Sequence, residues 1–516
     1  MAQAPLPVGQ QPRAAVPHFC VCRNLCRLRG VLIDGPAPNA MRVTQRSFFP
    51  AAIALPVSMA AAGLCLWAWF THDPAAGLRV RLPGLDGTPA AGDAQRAVKD
   101  LSGVFKEFDG TPANLPGAWP RFRGPEYDNV CKNAPSLANA WSNDGPPILW
   151  KVDLGEGHAA PVVLGGRVYV LDYDEQKKAD AIRCFSLADG REIWRRSYSV
   201  VVKRNHGMSR TVPAVTEKYL VTIGPRCHVV CLDTATGAFR WGIDLQREYG
   251  TKEPLWYAGQ CPLIDDGRAI LAPCGKTALM TAIDCETGKP VWTTPNPKGW
   301  DMSHSSIMPM KIGGKRMYVY CAVGGVTGVL ADCGAILWQL PWNVKVVAPS
   351  PVPLEDGKIF LTAGYGEGGM MIQVHEANGA FSAEVLYKHG PKDGLACEQQ
   401  TPIYHNGLLY GIMPKDAGAL RGQFVCYRPD GSLAWSSGQS HRFGLGPFLL
   451  VDGKFYLLDD NGMLTMIRAS GSSYEPLGQA QVLHGQDAWG PMALAGDRML
   501  LRDSKQMICI AVGAQQ

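Results

Sequence analysis

Charge is scarce in this 516-residue chain, and apolar residues recurring at helical spacing are almost absent. Only 18% of residues are Asp, Glu, Lys or Arg, while Gly (58) and Pro (39) are frequent. This disfavours coiled coils and long solvated helices and favours many short strands joined by turns. At 46% hydrophobic residues, most of the length is too apolar to remain disordered. The net charge of +5 is accounted for before residue 47, by six arginines (13, 23, 27, 29, 42 and 46) against Asp34. The rest of the chain is balanced, which argues against nucleic acid as a partner because phosphate binding needs an excess of basic groups.

Signatures of catalysis are missing as well. The sequence holds no adjacent Cys-Cys pair and no C-x-x-C-H for covalent haem, and neither the G-x-S-x-G elbow nor H-E-x-x-H. The glycine-rich GYGEGG at 364–369 lacks the Lys-Ser/Thr ending of a phosphate loop and reads as a loop of a β-blade.

One long uncharged run exists, FFPAAIALPVSMAAAGLCLWAWF at 48–70. As a helix it would extend about 35 Å, enough for a bilayer core of about 30 Å. Arg42 and Arg46 before it and Trp67 and Trp69 near its end orient the amino terminus to the cytoplasm and the main body outside. A cleaved signal with a poor AAA region at 60–62 is the competing reading, and both export the body. Met41 opens MRVTQRS before the apolar run, as an export signal does, so translation is expected to begin there. Cys20, Cys22 and Cys26 upstream lack the fourth ligand that a structural zinc site needs.

From about residue 148 onward two motifs repeat. A proline leads into a turn and a β-rich run eight times, at Pro161, Pro213, Pro262, Pro309, Pro351, Pro402, Pro447 and Pro491, spaced 42 to 52 residues. That period suits one four-stranded blade. A glycine turn followed four residues later by tryptophan occurs at Trp194, Trp241, Trp292, Trp338 and Trp435, with degenerate copies around Gly379 and Gly471. The recurring tryptophans read as wedges between blades. The eighth copy ends at MICIAV without an outer strand, and ILWKVDL around Trp150, just before the first copy, can supply it and close the ring. The expected fold is all-β: an eight-bladed β-propeller of four-stranded blades, preceded by a single transmembrane helix. The expected organisation is a cytoplasmic leader (1–47), a transmembrane signal-anchor (48–70), a linker (71–118), an irregular lead-in (119–147) and the propeller (148–516).

CLDTATGAFRW at 231–241 resembles the pyrroloquinoline-quinone (PQQ) type propeller repeat nearly throughout, and the resemblance covers about 148–511. With WPRFRGP at 119–125 the chain is similar to a group of exported bacterial propellers. Quinoprotein alcohol dehydrogenases and the propeller lipoprotein that assists outer-membrane β-barrel assembly share that fold. The first relationship implies a quinone sandwiched by a tryptophan and a Cys-Cys disulfide beside calcium. Trp256, Trp300 or Trp489 could stack on it and Glu398, Asp301 or Asp487 could ligate the metal, but no spacing marks them as a set. No cofactor is therefore expected, with PQQ and Ca²⁺ as the alternative.

Cys184, Cys231, Cys426 and Cys509 stand where the repeat otherwise has alanine and read as small buried hydrophobes. Spacing assigns no disulfide, and a pair among Cys227, Cys261, Cys274 and Cys285 stays open. The segments entering each repeated proline differ from one another and are polar and aromatic, whereas a repeat could have kept them alike. They place His158, Asn205, His206, Arg210, Trp256, Gln260, Trp300, His304, Glu398, Asp487 and Trp489 on one face. The expected function is a membrane-anchored, periplasm-facing scaffold that binds an envelope protein or small ligand on that face. A PQQ/Ca-dependent alcohol dehydrogenase is the alternative.

Overall fold

The computed structural model describes residues 59–67, 99–142 and 144–514. The chain divides into two compact units, Met1–Arg79 and Val80–Gln516. In the first, residues 59–67 are an exposed helix; the leader and the remainder of the apolar run lie outside the described residues. Among the described residues no helix is long and apolar enough to cross a membrane.

The second unit is a ring of eight antiparallel sheets. Each repeated proline stands at the head of the innermost strand of its blade, as with Pro161 before Val162–Leu164 and Pro447 before Phe448–Val451. Pro309 is the exception, as the second residue of Met308–Ile312. A residue without an N–H suits the start of a strand, where no ladder donor is missed. Neighbouring innermost strands touch around the axis, including Ala493–Ala495 of the last blade against Val162–Leu164 of the first. The ring closes as the sequence implies: Ile148–Asp153 pairs antiparallel with Gln506–Ala511, placing Trp150 opposite Cys509.

The two halves of the tryptophan motif explain each other. The Trp150 indole Nε1 donates to the Leu187 carbonyl of blade 1 at 3.0 Å, Trp241 to Cys285 at 2.8 Å and Trp292 to Ala331 at 3.2 Å, each reaching the next blade. The turn glycine of that next blade lies under the ring. A Cβ at Gly190 would sit 2.7 Å from Trp150, and one at Gly288 2.7 Å from Trp241. Both glycines also have positive φ, so side chain and backbone conformation are excluded together. Across the strand pair, each tryptophan faces a small residue: Cys184, Cys231, Ala282, Gly328, Cys426 and Cys509 face Trp194, Trp241, Trp292, Trp338, Trp435 and Trp150. Where blade 5 lacks the tryptophan, Tyr387 stacks on His389 at 4.8 Å, and its hydroxyl donates to the Pro429 carbonyl at 2.9 Å. His389 then covers Gly431. All described cysteines are free thiols, so Cys227, Cys261, Cys274 and Cys285 form no pair.

Two segments are more structured than a linker and an irregular lead-in would be. Val104–Glu107, within the stretch read as linker, adds a fifth strand to the outer edge of blade 1. Residues 119–131 enter the centre of the ring. Trp119 bridges Val163 on the innermost strand of blade 1, and the Pro120 carbonyl accepts from the Val215 amide on that of blade 2. Val130–Cys131 runs parallel to Phe448–Val451 of blade 7. Between them, the buried Arg123 donates to the carbonyls of Tyr127, Asp128, Thr401 and Pro402 at 2.7 to 3.2 Å. The lead-in is thus a stopper in the axial channel rather than a surface strap, and its apolar side chains are covered by blades on several sides.

Candidate functional site

Above the stopper, where the connections between blades converge, lies a cavity of about 130 Å³. His158, Arg210, Trp256, His304, Glu398 and Trp489 all line it. Phe122 at the tip of the stopper joins them, as do Tyr365, Gln399 and Gln400. Tyr365 belongs to the glycine-rich turn read as an ordinary blade loop, and Phe122 to a segment with no repeat register. Neither gave a sequence signal beyond an aromatic residue in an unusual loop.

The other expected residues take different places. His206 stands at the rim, edge-on to Trp256 at 6.2 Å, and Asn205 contributes its carbonyl to Arg210 rather than a side chain to the cavity. Gln260 is fully buried: its amide donates to the Ala272 carbonyl and the Tyr320 hydroxyl, both at 3.1 Å, and accepts from the Ala272 amide. It fastens the connection to blade 3. Trp300 packs on Gly324 and Gly325 and is held by Asn296, which makes it part of the core. Asp487 lies beside the cavity wall, its carboxyl pushed up by burial and by Asp460. In both buried cases a loop residue found its partners inside the blades, Gln260 on blades 3 and 4 and Trp300 on blade 4.

Trp256 is the centre of an aromatic cluster, stacked on His304 at 6.2 Å and on Tyr365 at 5.8 Å. Opposite, His158 lies 5.0 Å from Trp489, whose Nε1 donates to Asp460 at 2.7 Å. Backbone strain concentrates here: Trp256, Tyr257 and Tyr365 have φ of 61°, 72° and 59°, and His206 has 51°. Such conformations cost about 1–3 kcal/mol each in bulky residues and persist where the surroundings impose them, commonly at binding sites.

Arg210 is the dominant charge of the site. Its Nη2 donates to the carbonyls of Asn205, His206 and Gly207, and no described carboxylate lies within 4 Å of it. Burial lowers its pKa to about 10, so it remains a cation at neutral pH. Burial, then Arg210 and Arg502, hold His158 down to about 3; burial and Arg210 do the same to His304. Both imidazoles are neutral at pH 7. Glu398 accepts from Lys415 at 3.3 Å through Oε1, while its buried Oε2 accepts no hydrogen bond of ordinary geometry. Tyr365 beside it has its phenol pushed up to about 12 by burial and by Glu398.

The depressed imidazoles give a pH dependence. In the unfolded chain they take up protons below about 6.5, whereas in the folded state they resist until near 3. The stability they contribute is complete above pH 6.5 and is lost as pH falls toward 3. Relative to a His158→Gln/His304→Gln variant, the wild type should lose about 1–2 kcal/mol per imidazole between pH 7.5 and pH 5. Urea midpoints of the two proteins across that range measure it, and a constant difference would refute neutral imidazoles.

The residues fit a calcium-quinone centre poorly. Glu398 is the single carboxylate lining the cavity, its Oε1 is paired with Lys415, and the Arg210 cation shares the space. Calcium takes six to eight oxygens. Of the other two acids considered, Asp301 is paired with Lys252 at 3.0 Å, and neither it nor Asp487 lines the cavity. Among the described residues no cluster of three metal-binding side chains occurs.

Eight such blades with the glycine-tryptophan lock make the chain an eight-bladed β-propeller whose repeats are similar to the PQQ type. The family model described as outer membrane protein assembly factor BamB matches residues 177–389, from blade 1 through blade 5. A quinohemoprotein alcohol dehydrogenase from Pseudomonas putida HK5 is similar at 13% identity and a TM-score of 0.52, over 78% of this chain and 81% of that one. At that identity the likeness concerns the fold alone. BamB from Moraxella catarrhalis is similar at 12% identity and a TM-score of 0.46, over 71% of this chain and 99% of that one. No curated protein matches the sequence.

Proposed function

We propose that the chain is a non-catalytic recognition propeller of the bacterial cell envelope, binding a partner or small ligand at the cavity where its blade connections meet. Residues 48–70 would hold it at the cytoplasmic membrane with the propeller on the periplasmic side. The observation that carries the reading is Arg210, a half-buried cation with no carboxylate partner among the described residues, inside a strained aromatic cup. A buried charge is ordinarily paired, so a site that keeps one unpaired is arranged for an incoming group. The match to the assembly-factor family model supports a scaffold over an enzyme. No observation at the cavity favours the quinone-dependent reading.

The test is photo-crosslinking in native membranes from position 365 at the rim. A discrete adduct should form, be lost in Arg210→Gln, and be absent when the crosslinker is placed at Asp497 in a turn of blade 8. Identical products from both positions would overturn the proposal.

A further inference from the structure

The cavity contains two complementary groups left incomplete by the protein. Among the described residues, Arg210 uses only Nη2, for three backbone carbonyls, while Nε is buried and donates to nothing. Glu398, with a side chain 3% exposed, has Oε1 on Lys415, while Oε2 lies near the Tyr365 hydroxyl and accepts no hydrogen bond of ordinary geometry. A buried donor and a buried acceptor without partners each cost free energy, and together they describe the ligand that would satisfy both. Within the lining Arg210 meets one carboxylate, Glu398, whose Oε1 is already held by Lys415 from outside the cavity, so the guanidinium keeps no counter-charge of its own. A guanidinium with free N–H groups matches the planar fork of a carboxylate. The acceptor at Glu398 demands an O–H or N–H donor from the same molecule.

The rest of the cup is flat and apolar, with Trp256, Tyr365, Trp489 and Phe122 around the two neutral histidines. The volume of about 130 Å³ corresponds to roughly ten water positions, the size of a molecule of about ten heavy atoms. We infer that the cavity binds a small carboxylic acid bearing a hydrogen-bond donor and an apolar or aromatic body, that is, a hydroxy or amino acid. Its carboxylate pairs with Arg210, its hydroxyl or ammonium reaches Oε2 of Glu398, and its body lies against the indoles. This rests on the recognition role proposed above and narrows it to a ligand class.

The experiment uses the full chain in detergent and follows tryptophan fluorescence on titration with 3-phenyllactate, phenylalanine, 3-phenylpropionate and phenethylamine. The two donor-bearing acids should bind and be at least about tenfold tighter than phenylpropionate, the loss expected for a missing hydrogen bond to a charged group. Phenethylamine should not bind. Arg210→Gln should weaken both acids by about tenfold or more. The isosteric Glu398→Gln separates the sources: it should weaken phenylalanine at least about tenfold, through loss of its ammonium partner, and phenyllactate far less. Equal binding of phenylpropionate would remove the donor requirement and overturn the proposal. If no acid binds while the adduct from position 365 persists, the ligand class fails and the recognition role stands; if both are absent, both fail.

Discussion

Trp150→Ala is expected to lower the unfolding free energy by about 3–5 kcal/mol, the range for deleting a buried tryptophan. The indole is 7% exposed, covers Gly190 and donates to Leu187, while its strand is the outer strand of a blade otherwise made by the carboxyl end. Domains of ordinary stability have about 5–15 kcal/mol in total, so this one contact holds a large share. Trp241→Ala is the control, since its blade is continuous in sequence and ring closure survives its loss. Urea unfolding followed by limited proteolysis distinguishes the two: cleavage near residues 148–153 should accelerate only in Trp150→Ala. A cost below about 1 kcal/mol would mean that the ring is sealed by other contacts.

Arg123→Met should cost about 3 kcal/mol and loosen the stopper. The guanidinium is buried and its pKa is lowered to about 10 by burial, yet it stays charged at neutral pH and serves four carbonyls. Methionine fills part of the volume but leaves those acceptors without a donor in a dry place, and each bond to a charged group is worth about 1.5–3 kcal/mol before the offsetting desolvation of the cation. Backbone amides along the pairing of Val130–Cys131 with Leu450 and Val451 should exchange faster with solvent. Fluorescence of the cavity tryptophans should shift because Phe122, one residue away, loses its support. Unchanged exchange at Val130 and Leu450 would show that the strand pair, not the arginine, retains the stopper.

The blade number, the ring seal and the tryptophan lock were legible because each repeats and a period survives variation in any one copy. The pairing of Trp150 with the last blade followed from counting strands, one missing at one end and one surplus at the other. The stopper was not legible: residues 119–131 occur once, follow no period and are broken by two prolines, a glycine and an Asp-Asn pair. The fifth strand, VFKE at 104–107, is too short and too polar to stand out, and its pairing depends on the exposed edge of blade 1. At the site, divergent loops pointed to the face that carries the cavity but could not separate residues aimed into it from those satisfied behind it. Gln260 and Trp300 resemble Trp256 in sequence context, and only the hydroxyl of Tyr320 and the glycines of blade 4 distinguish them. Tyr365 was hidden in a glycine-rich turn, where the left-handed backbone that aims its ring leaves no mark on composition.

A ring of blades is ordinarily a tube with two mouths. Here residues 119–131 occupy the axis against the innermost strands of blades 1, 2 and 7, which turns the tube into a cup. Whatever enters past His206 must depart by the same doorway, so arrival and release share one barrier, and a substitution of this exposed residue, which does not line the cavity, should change both rates together.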